Sequence, residues 1–481
     1  MAADDQSKVL GIVVLARHGD RQGFYQDPLT YTASATAITP LGEQQEFQLG
    51  SLIRSRYLNS SLPSFISGVS NTSSLFVQNQ VAVRADAGGE GGVIFDSAVA
   101  LAQGLWPPTS LASTTLADGS TVTSPLGGYQ YVPIESVEPN EDVSLEGYTS
   151  CNTFDDHTSA FYASEEFQNK QRLVSQFLTN LQPYMDGRPV TLQNMWNIFD
   201  YMNVQSIHNA TFAQSLPDNY LAQARDLANW HEYNVFSDST FDGVGNIAFR
   251  AMVPSVLTAM QRIANASDPL KLHYSAIAYK PFLSLFNMTG VVADGALPPS
   301  IVNYAASVVL EVRQPASSVE PVIRFNFKNG TDYDDFREYP MSIPGWARFP
   351  VSGEGSAGPD VPLSTFISAF QPAGINTTLQ WCNVCAQTEA RGCAALFAGN
   401  GTETSGHTIR VNVHDAISPV GAGFLGAGLT IVVYGLGLAI LAYLGLLTFG
   451  KRARTASRQK YGTNDHTELH SSTNSITKES A

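Results

Sequence analysis

The sequence predicts an α/β fold: an open, mainly parallel sheet with helices on both faces, an inserted and mostly helical cap subdomain, and one C-terminal transmembrane helix. Three observations predict it. A nearly continuous apolar run at residues 9–16 is what a strand covered on both faces requires, and it breaks off in Arg17-His18-Gly19-Asp20-Arg21. From about residue 110 to 240 the chain turns polar, aromatic and irregular, and strand-like segments return only after that. Residues 421–450 then run for thirty positions without a charge, long enough to cross a bilayer core with some tilt.

Taken in order, the strand at 9–16 presents its polar pentapeptide at its C-terminal end, where open α/β sheets hold ligands. Leu75-Phe76-Val77 with Val81-Ala82-Val83 is a second strand candidate, and Phe95 to Leu105 a helix beside it. Helical patches at Glu165 to Asn180 and Leu221 to Tyr233 mark the polar stretch as an inserted cap. The sheet resumes near Leu270 to Ser275, then at Ala305 to Val312 and Pro321 to Asn326, the last two alternating as an antiparallel edge pair would. A loop rich in Gly and Pro from Ser342 to Pro362 leads to a short helix at Leu363 to Ala369. Residues 8–110 and 240–375 are thus assigned to the α/β core and 111–239 to the cap. Residues 376–420 are assigned to a cysteine-containing stalk, 421–450 to the membrane span and 451–481 to a Ser/Thr/Lys-rich disordered cytoplasmic tail. There is no internal repeat.

A chain of 481 residues, 43% hydrophobic, can bury a large core, and one extended domain fits as well as two. A formal charge of −15 argues against nucleic acid as a partner, because a polyanion needs a basic surface. Lys451, Arg452, Arg454, Arg458 and Lys460 follow the apolar run directly, so the positive-inside rule puts that side in the cytoplasm and the N-terminal part in a lumen or outside. Eight N-x-S/T sequons, at Asn59, Asn71, Asn209, Asn265, Asn287, Asn329, Asn376 and Asn400, all precede the span. Cys151, Cys382, Cys385 and Cys393 lie on the same side, where one or two structural disulfides are favoured over a metal knuckle; three pairings are open. The polar start Met1 to Lys8 shows no signal peptide and is read as truncated. The alternative, a cytosolic domain on a tail anchor, leaves the sequons unexplained.

The chemistry concentrates in the pentapeptide. Two arginines can grip the oxygens of a phosphoryl group, and positive neighbours hold His18 neutral, so that its free nitrogen can attack phosphorus. Gly19 lets the backbone turn there. The bland alternative is a salt-bridged surface turn. At these residues the chain resembles the histidine acid phosphatases, a branch of the histidine phosphatase superfamily. Thr39-Pro40-Leu41-Gly42-Glu43-Gln44-Gln45 resembles the family's second helix, and Asp96-Ser97-Ala98 through Gln103-Gly104-Leu105-Trp106-Pro107-Pro108 resembles its S-A to P-P segment. The similarity extends over about residues 8 to 375. It implies a covalent phosphohistidine at His18, later hydrolysed by water, with Arg17 and Arg21 as the phosphate clamp. No cofactor is implied, and the partner implied is a small phosphorylated substrate.

The resemblance fails in two places. Relatives carry a third phosphate-binding arginine just before the S-A helix, where this chain reads Gly91-Gly92-Val93-Ile94-Phe95. Arg84 is the nearest replacement, with Glu90 and the glycine-rich loop 88–92 beside it; alternatively Arg84 only pairs with Asp86 or Glu90 at the surface. Relatives also follow a late strand with a His-Asp dipeptide whose aspartic acid protonates the leaving alkoxide. Here Ile277 and Ala278 hold those positions, so another group, with Glu90 and Asp20 as the first candidates, must give the proton. His414-Asp415 lies just before the span and is read as a decoy. His157, His208, His231, His273 and His407 are read as structural or surface residues, and no spacing suggests a metal site. The expected function is a membrane-anchored, extracytoplasmic phosphomonoesterase acting through His18. The alternative is an impaired pseudophosphatase that binds phosphorylated ligands or serves as a surface glycoprotein.

Overall fold

In the computed structural model, the described residues are 7–23, 36–69, 75–292, 295, 297–346 and 360–400. Among these residues there are ten strands: β1 (Lys8–Arg17), β2 (Val81–Asp86), β3 (Ser113–Thr115), β4 (Thr121–Thr123), β5 (Glu135–Val137), β6 (Leu272–Ile277), β7 (Ser307–Gln314), β8 (Val322–Lys328), β9 (Arg337–Glu338) and β10 (Asp360–Pro362). β3 and β4 form a separate hairpin; the others make one sheet in the order β10-β8-β7-β1-β6-β2-β5, with β9 on β8. β1, β6, β2 and β5 pair in parallel, and β8 runs with them because it is antiparallel to β7, which is antiparallel to β1. Five of the eight strands therefore point one way, while the β7 to β10 side is knitted by antiparallel ladders.

β1 occupies the middle of the sheet and is buried from Gly11 to Arg17, as its unbroken apolar run requires. The strand expected to include residues 75–77 begins only at Val81, after a turn of 3₁₀ helix at Gln78–Gln80. β7 and β8 are antiparallel as expected, but not an exposed edge pair: both are buried on both faces. The reason is cover from two sides. The helix Lys280–Thr289 lays Phe286 on Phe325 and Phe327, while Tyr57, from the opposite layer, donates to Glu311 Oε1 at 2.7 Å.

The two helices flanking β1 and β2 on one side are α1 (Pro40–Tyr57) and α2 (Gly91–Leu105). The Thr39 hydroxyl caps α1 by accepting from Gly42 N, and Pro40 follows at the first helical position. α1 and α2 meet at Gly50 and Gly104, where an added Cβ would overlap the Leu101 and Phe47 carbonyl oxygens.

Between β5 and β6 the chain forms the helices Asn152–Ala163, Glu165–Leu181, Met195–His208, Ala210–Ser215 and Tyr220–Val235. These helices are not packed apart from the sheet: their buried side chains Phe154, Phe167 and Met202 share one hydrophobic cluster with Val13 and Leu15 of β1. The stalk assignment fails for residues 376–400. The helix Thr378–Val384 inserts Trp381 fully into the core, its Nε1 donating to Gly147 O at 2.7 Å. The disulfide Cys151–Cys385 ties this segment to the insertion, and Cys382–Cys393 closes a short loop within it. The apolar run 421–450, the basic tail, His407 and His414-Asp415 lie outside the described residues. Among the described residues no helix is long and apolar enough to cross a membrane.

Candidate active site

The pentapeptide leaves β1 at the centre of the parallel ladder, and each of its first four residues is fixed by backbone bonds. Arg17 N donates to Ala306 O at 2.9 Å and His18 N to Ile277 O at 3.2 Å, so the motif is stitched to both neighbouring strand ends. Gly19 N donates to the Ser97 hydroxyl at 3.0 Å, and Asp20 N to Gln45 Oε1 at 2.9 Å. Gly19 and Gly42 pass with backbones in contact, since a Cβ on either would overlap the other segment's backbone. Asp20 is buried; its Oδ2 accepts from the Thr39 hydroxyl and lies 2.7 Å from His208 Nε2.

His18 Nδ1 lies 2.8 Å from Gly19 O. A carbonyl oxygen can only accept, so Nδ1 carries the proton and Nε2 presents its lone pair. Nε2 is buried without a hydrogen-bond partner, and the nearest charged oxygen, Glu90 Oε2, stands 3.4 Å away. Burial lowers the imidazole pKa and Arg17 and Arg21 lower it further, against an opposing pull from Glu90. The ring is therefore held neutral, which is the nucleophilic state.

Arg17 and Arg21 differ sharply. Arg21 Nε donates to Glu90 Oε1 at 2.6 Å, and its two terminal nitrogens grip Asp200 at 3.1 and 2.9 Å. Arg17 is buried, with its guanidinium 4.5 Å from the centre of the Tyr304 ring and 5.2 Å from that of Tyr279, and NH1 donating to Val302 O at 2.5 Å. Among the described residues it has no carboxylate within ion-pair distance, and its Nε has no partner. A buried cation without a counter-ion is costly, so this pocket is built for an anion that arrives from outside. A cavity of about 160 Å³ opens there, walled in part by Phe199, Asp200, Asn203, Arg225 and Tyr304.

Of the residues singled out from sequence, Arg17, His18, Arg21 and Glu90 come together. Burial alone would raise Glu90, but the Arg21 guanidinium overcomes it and holds the carboxyl well below the usual range. Glu90 is thus an anion beside His18, at the N-terminal end of α2. Arg84 does not join them. Its guanidinium is taken by Glu135 at 2.7 Å, Asp142 at 2.6 Å and Ser144 at 3.1 Å, in a groove of about 800 Å³ that shares no residue with the His18 site. The surface-pair alternative fits Arg84, with different partners from those expected. Ile277 lies opposite Arg17 in the β1–β6 register, and both Ile277 and Ala278 are buried, so the strand end nearest the motif offers no acid. Sequence reading missed Asp200 and Tyr304: one comes from a helix in the irregular insertion and the other from a loop, and neither sits in a motif. Among the described residues no group of three or more His, Cys, Asp or Glu could hold a metal ion.

The family model of the histidine phosphatase superfamily (branch 2) matches residues 22–328, well over half the chain. The chain belongs to this superfamily. Within it, the chain is similar to the prostatic acid phosphatase of Bos taurus, 23% identical over 397 residues that cover 80% of this chain and 90% of that protein. It is also similar to the lysosomal acid phosphatase of Xenopus laevis, 24% identical over 377 residues, 76% of this chain and 77% of that protein. Among solved structures, the phytase from Citrobacter braakii superposes with a TM-score of 0.52 at 12% identity, covering 79% of this chain and 99% of that one. That likeness concerns the fold alone. The histidine phosphatase assignment agrees with the site: a neutral histidine at the end of the central strand, with an arginine on either side in the motif.

Proposed function

We propose that this protein hydrolyses small phosphate monoesters through a phosphohistidine at His18. The observation that carries the reading is the pair of unsatisfied buried groups facing one another in charge: the lone pair of His18 Nε2 and the Nε–H of an Arg17 without a carboxylate partner. A phosphate monoester answers both. Its oxygens accept from Arg17 and its phosphorus receives Nε2. The bond to the leaving oxygen breaks as the N–P bond forms, and water then attacks phosphorus to release inorganic phosphate and neutral His18.

Anchoring by residues 421–450 with the catalytic part on the luminal or outer side is part of this reading. The eight sequons, the basic flank of the apolar run and the two disulfides support it. The test of the chemistry is trapping with an aryl phosphate labelled in its phosphoryl group, quenched in alkaline detergent. Label should appear on wild-type protein as an acid-labile adduct at His18 and be absent from His18→Ala, whose turnover should fall to a few per cent or less. Full turnover by His18→Ala would remove His18 as nucleophile. Phosphate binding without any adduct would favour the ligand-binding alternative.

A further inference from the structure

An alkoxide leaves phosphorus poorly unless a proton reaches it as the bond breaks. Around His18 most acidic groups are already committed. Glu90 is ionised between Arg21 and His18, and both Asp200 oxygens accept from Arg21. Asp20 Oδ2 is engaged by Thr39 and His208. The Tyr279 hydroxyl donates to Glu232 Oε2 at 2.6 Å. Tyr304 differs. Its hydroxyl is buried and has no hydrogen-bond partner, its ring centre lies 5.6 Å from that of His18, and it walls the same cavity as Arg17. An orphaned buried hydroxyl is destabilising in the resting protein, and its persistence beside a nucleophile points to a partner that arrives with substrate.

We propose that Tyr304 is the proton donor of this site, its hydroxyl protonating the leaving alkoxide while His18 Nε2 attacks phosphorus. The assignment rests on the reading of His18 as nucleophile. The balance closes: the electron pair of the P–O bond goes to the alkoxide oxygen, the Tyr304 proton follows it, and the alcohol departs. Tyr304 remains as a phenolate beside two cations, the Arg17 guanidinium at 4.5 Å and the Arg21 guanidinium at 6.0 Å from its ring centre. In the second step water attacks the phosphorus of phosphohistidine and gives its proton back to the phenolate. The charged groups facing Tyr304 are Arg17 and Arg21, which lower its pKa, and Asp200 and Asp20, which raise it. Burial outweighs the arginines and leaves the phenol raised to about 12. It therefore stays protonated from acid through neutral pH, and is closer in acidity to an alkoxide's conjugate acid than a carboxyl group is.

The experiment compares wild type with Tyr304→Phe on the full chain, using p-nitrophenyl phosphate and a primary alkyl phosphate, with His18 labelling by each ester run in parallel. Nitrophenolate needs little protonation. Loss of the donor should therefore lower kcat/KM for the alkyl ester by about 10²–10³-fold and for the aryl ester by less than about fivefold. Because the lost hydroxyl had no partner, the melting temperature should hold or rise, which separates the effect from misfolding. Equal losses on both esters would make the hydroxyl a phosphate ligand and overturn the donor role, as would unimpaired turnover of the alkyl ester. If wild type labels at His18 with both esters while Tyr304→Phe loses nothing, only the donor assignment falls. If wild type never labels, the function and the donor fall together.

Discussion

As the proposed nucleophile, His18 is useful only while uncharged, and its surroundings set the pH at which that condition fails. Its folded pKa lies below the ordinary value of 6.5, chiefly through burial, so protonation removes the nucleophile only as pH drops under that value. Glu90 is the group that opposes the shift. Glu90→Gln should move the acid limb of kcat/KM for an aryl phosphate to lower pH, and the displacement from wild type is the readout because substrate ionisation is common to both. A limb that stays in place would detach Glu90 from His18. A second expectation concerns charge. Arg21 is paired with both Glu90 and Asp200, so a phosphate that used it would compete with Asp200 for the Arg21 fork. Asp200→Asn should tighten competitive inhibition by inorganic phosphate by about five- to tenfold, roughly 1 kcal/mol. Unchanged inhibition would show that phosphate never uses that face of Arg21. The local motif made Arg17, His18 and Arg21 legible in the sequence, because adjacent residues at a strand end must share a site. Asp200 and Tyr304 were not legible: the contacts that define them span 179 positions for Asp200 with Arg21 and are set by the tertiary fold.

At the scale of elements, the motif loop keeps its shape because α1 starts directly against it. Gly42, in the first turn of α1, passes so close to Asp20 that an added Cβ would overlap the Asp20 carbonyl oxygen and amide nitrogen. Backbone cannot yield as a flexible side chain can. Gly42→Ala should therefore destabilise the protein by about 1–3 kcal/mol and lower kcat more than its thermal shift alone explains, because the loop carrying His18 must move. Activity and melting temperature equal to wild type would contradict this. The elements that the sequence disclosed were those with a strong local pattern. β1 announced itself by an apolar run, and Glu165–Leu181 by its 3.6-residue period and by acidic residues in its first turn. The helix Met195–His208 did not, because it is buried over much of its surface and its hydrophobic residues do not form a single stripe. Alternation in the residues of β7 and β8 predicts an edge pair, but the charged side chains inside the sheet, Glu311 and Arg313, are paired with each other and buried.

At the largest scale, the decisive feature is that the helical insertion, the sheet and the helices at 378–384 and 393–400 share a single hydrophobic cluster, so that the described segment from 376 to 400 packs as part of the same body. The burial of Trp381, which no local pattern in the sequence announces, is what makes residues 376–400 core rather than stalk. The two disulfides that secure it close very different loops, 234 residues for Cys151–Cys385 and 11 for Cys382–Cys393. A cross-link stabilises mainly by removing freedom from the unfolded chain, and that effect grows with the logarithm of loop length, to about 5 kcal/mol for the long loop and about 3 kcal/mol for the short one. The long bridge also anchors the insertion through Cys151, next to the Asn152–Ala163 helix, whereas the short one acts within the C-terminal segment. Replacing Cys151 and Cys385 together by serine should therefore lower the melting temperature more than replacing Cys382 and Cys393 together, and should reduce activity because Asp200 and the cavity wall belong to the same insertion. The reverse order of stability, measured by calorimetry on both double variants, would mean that the C-terminal segment docks onto the core without needing the long covalent tie.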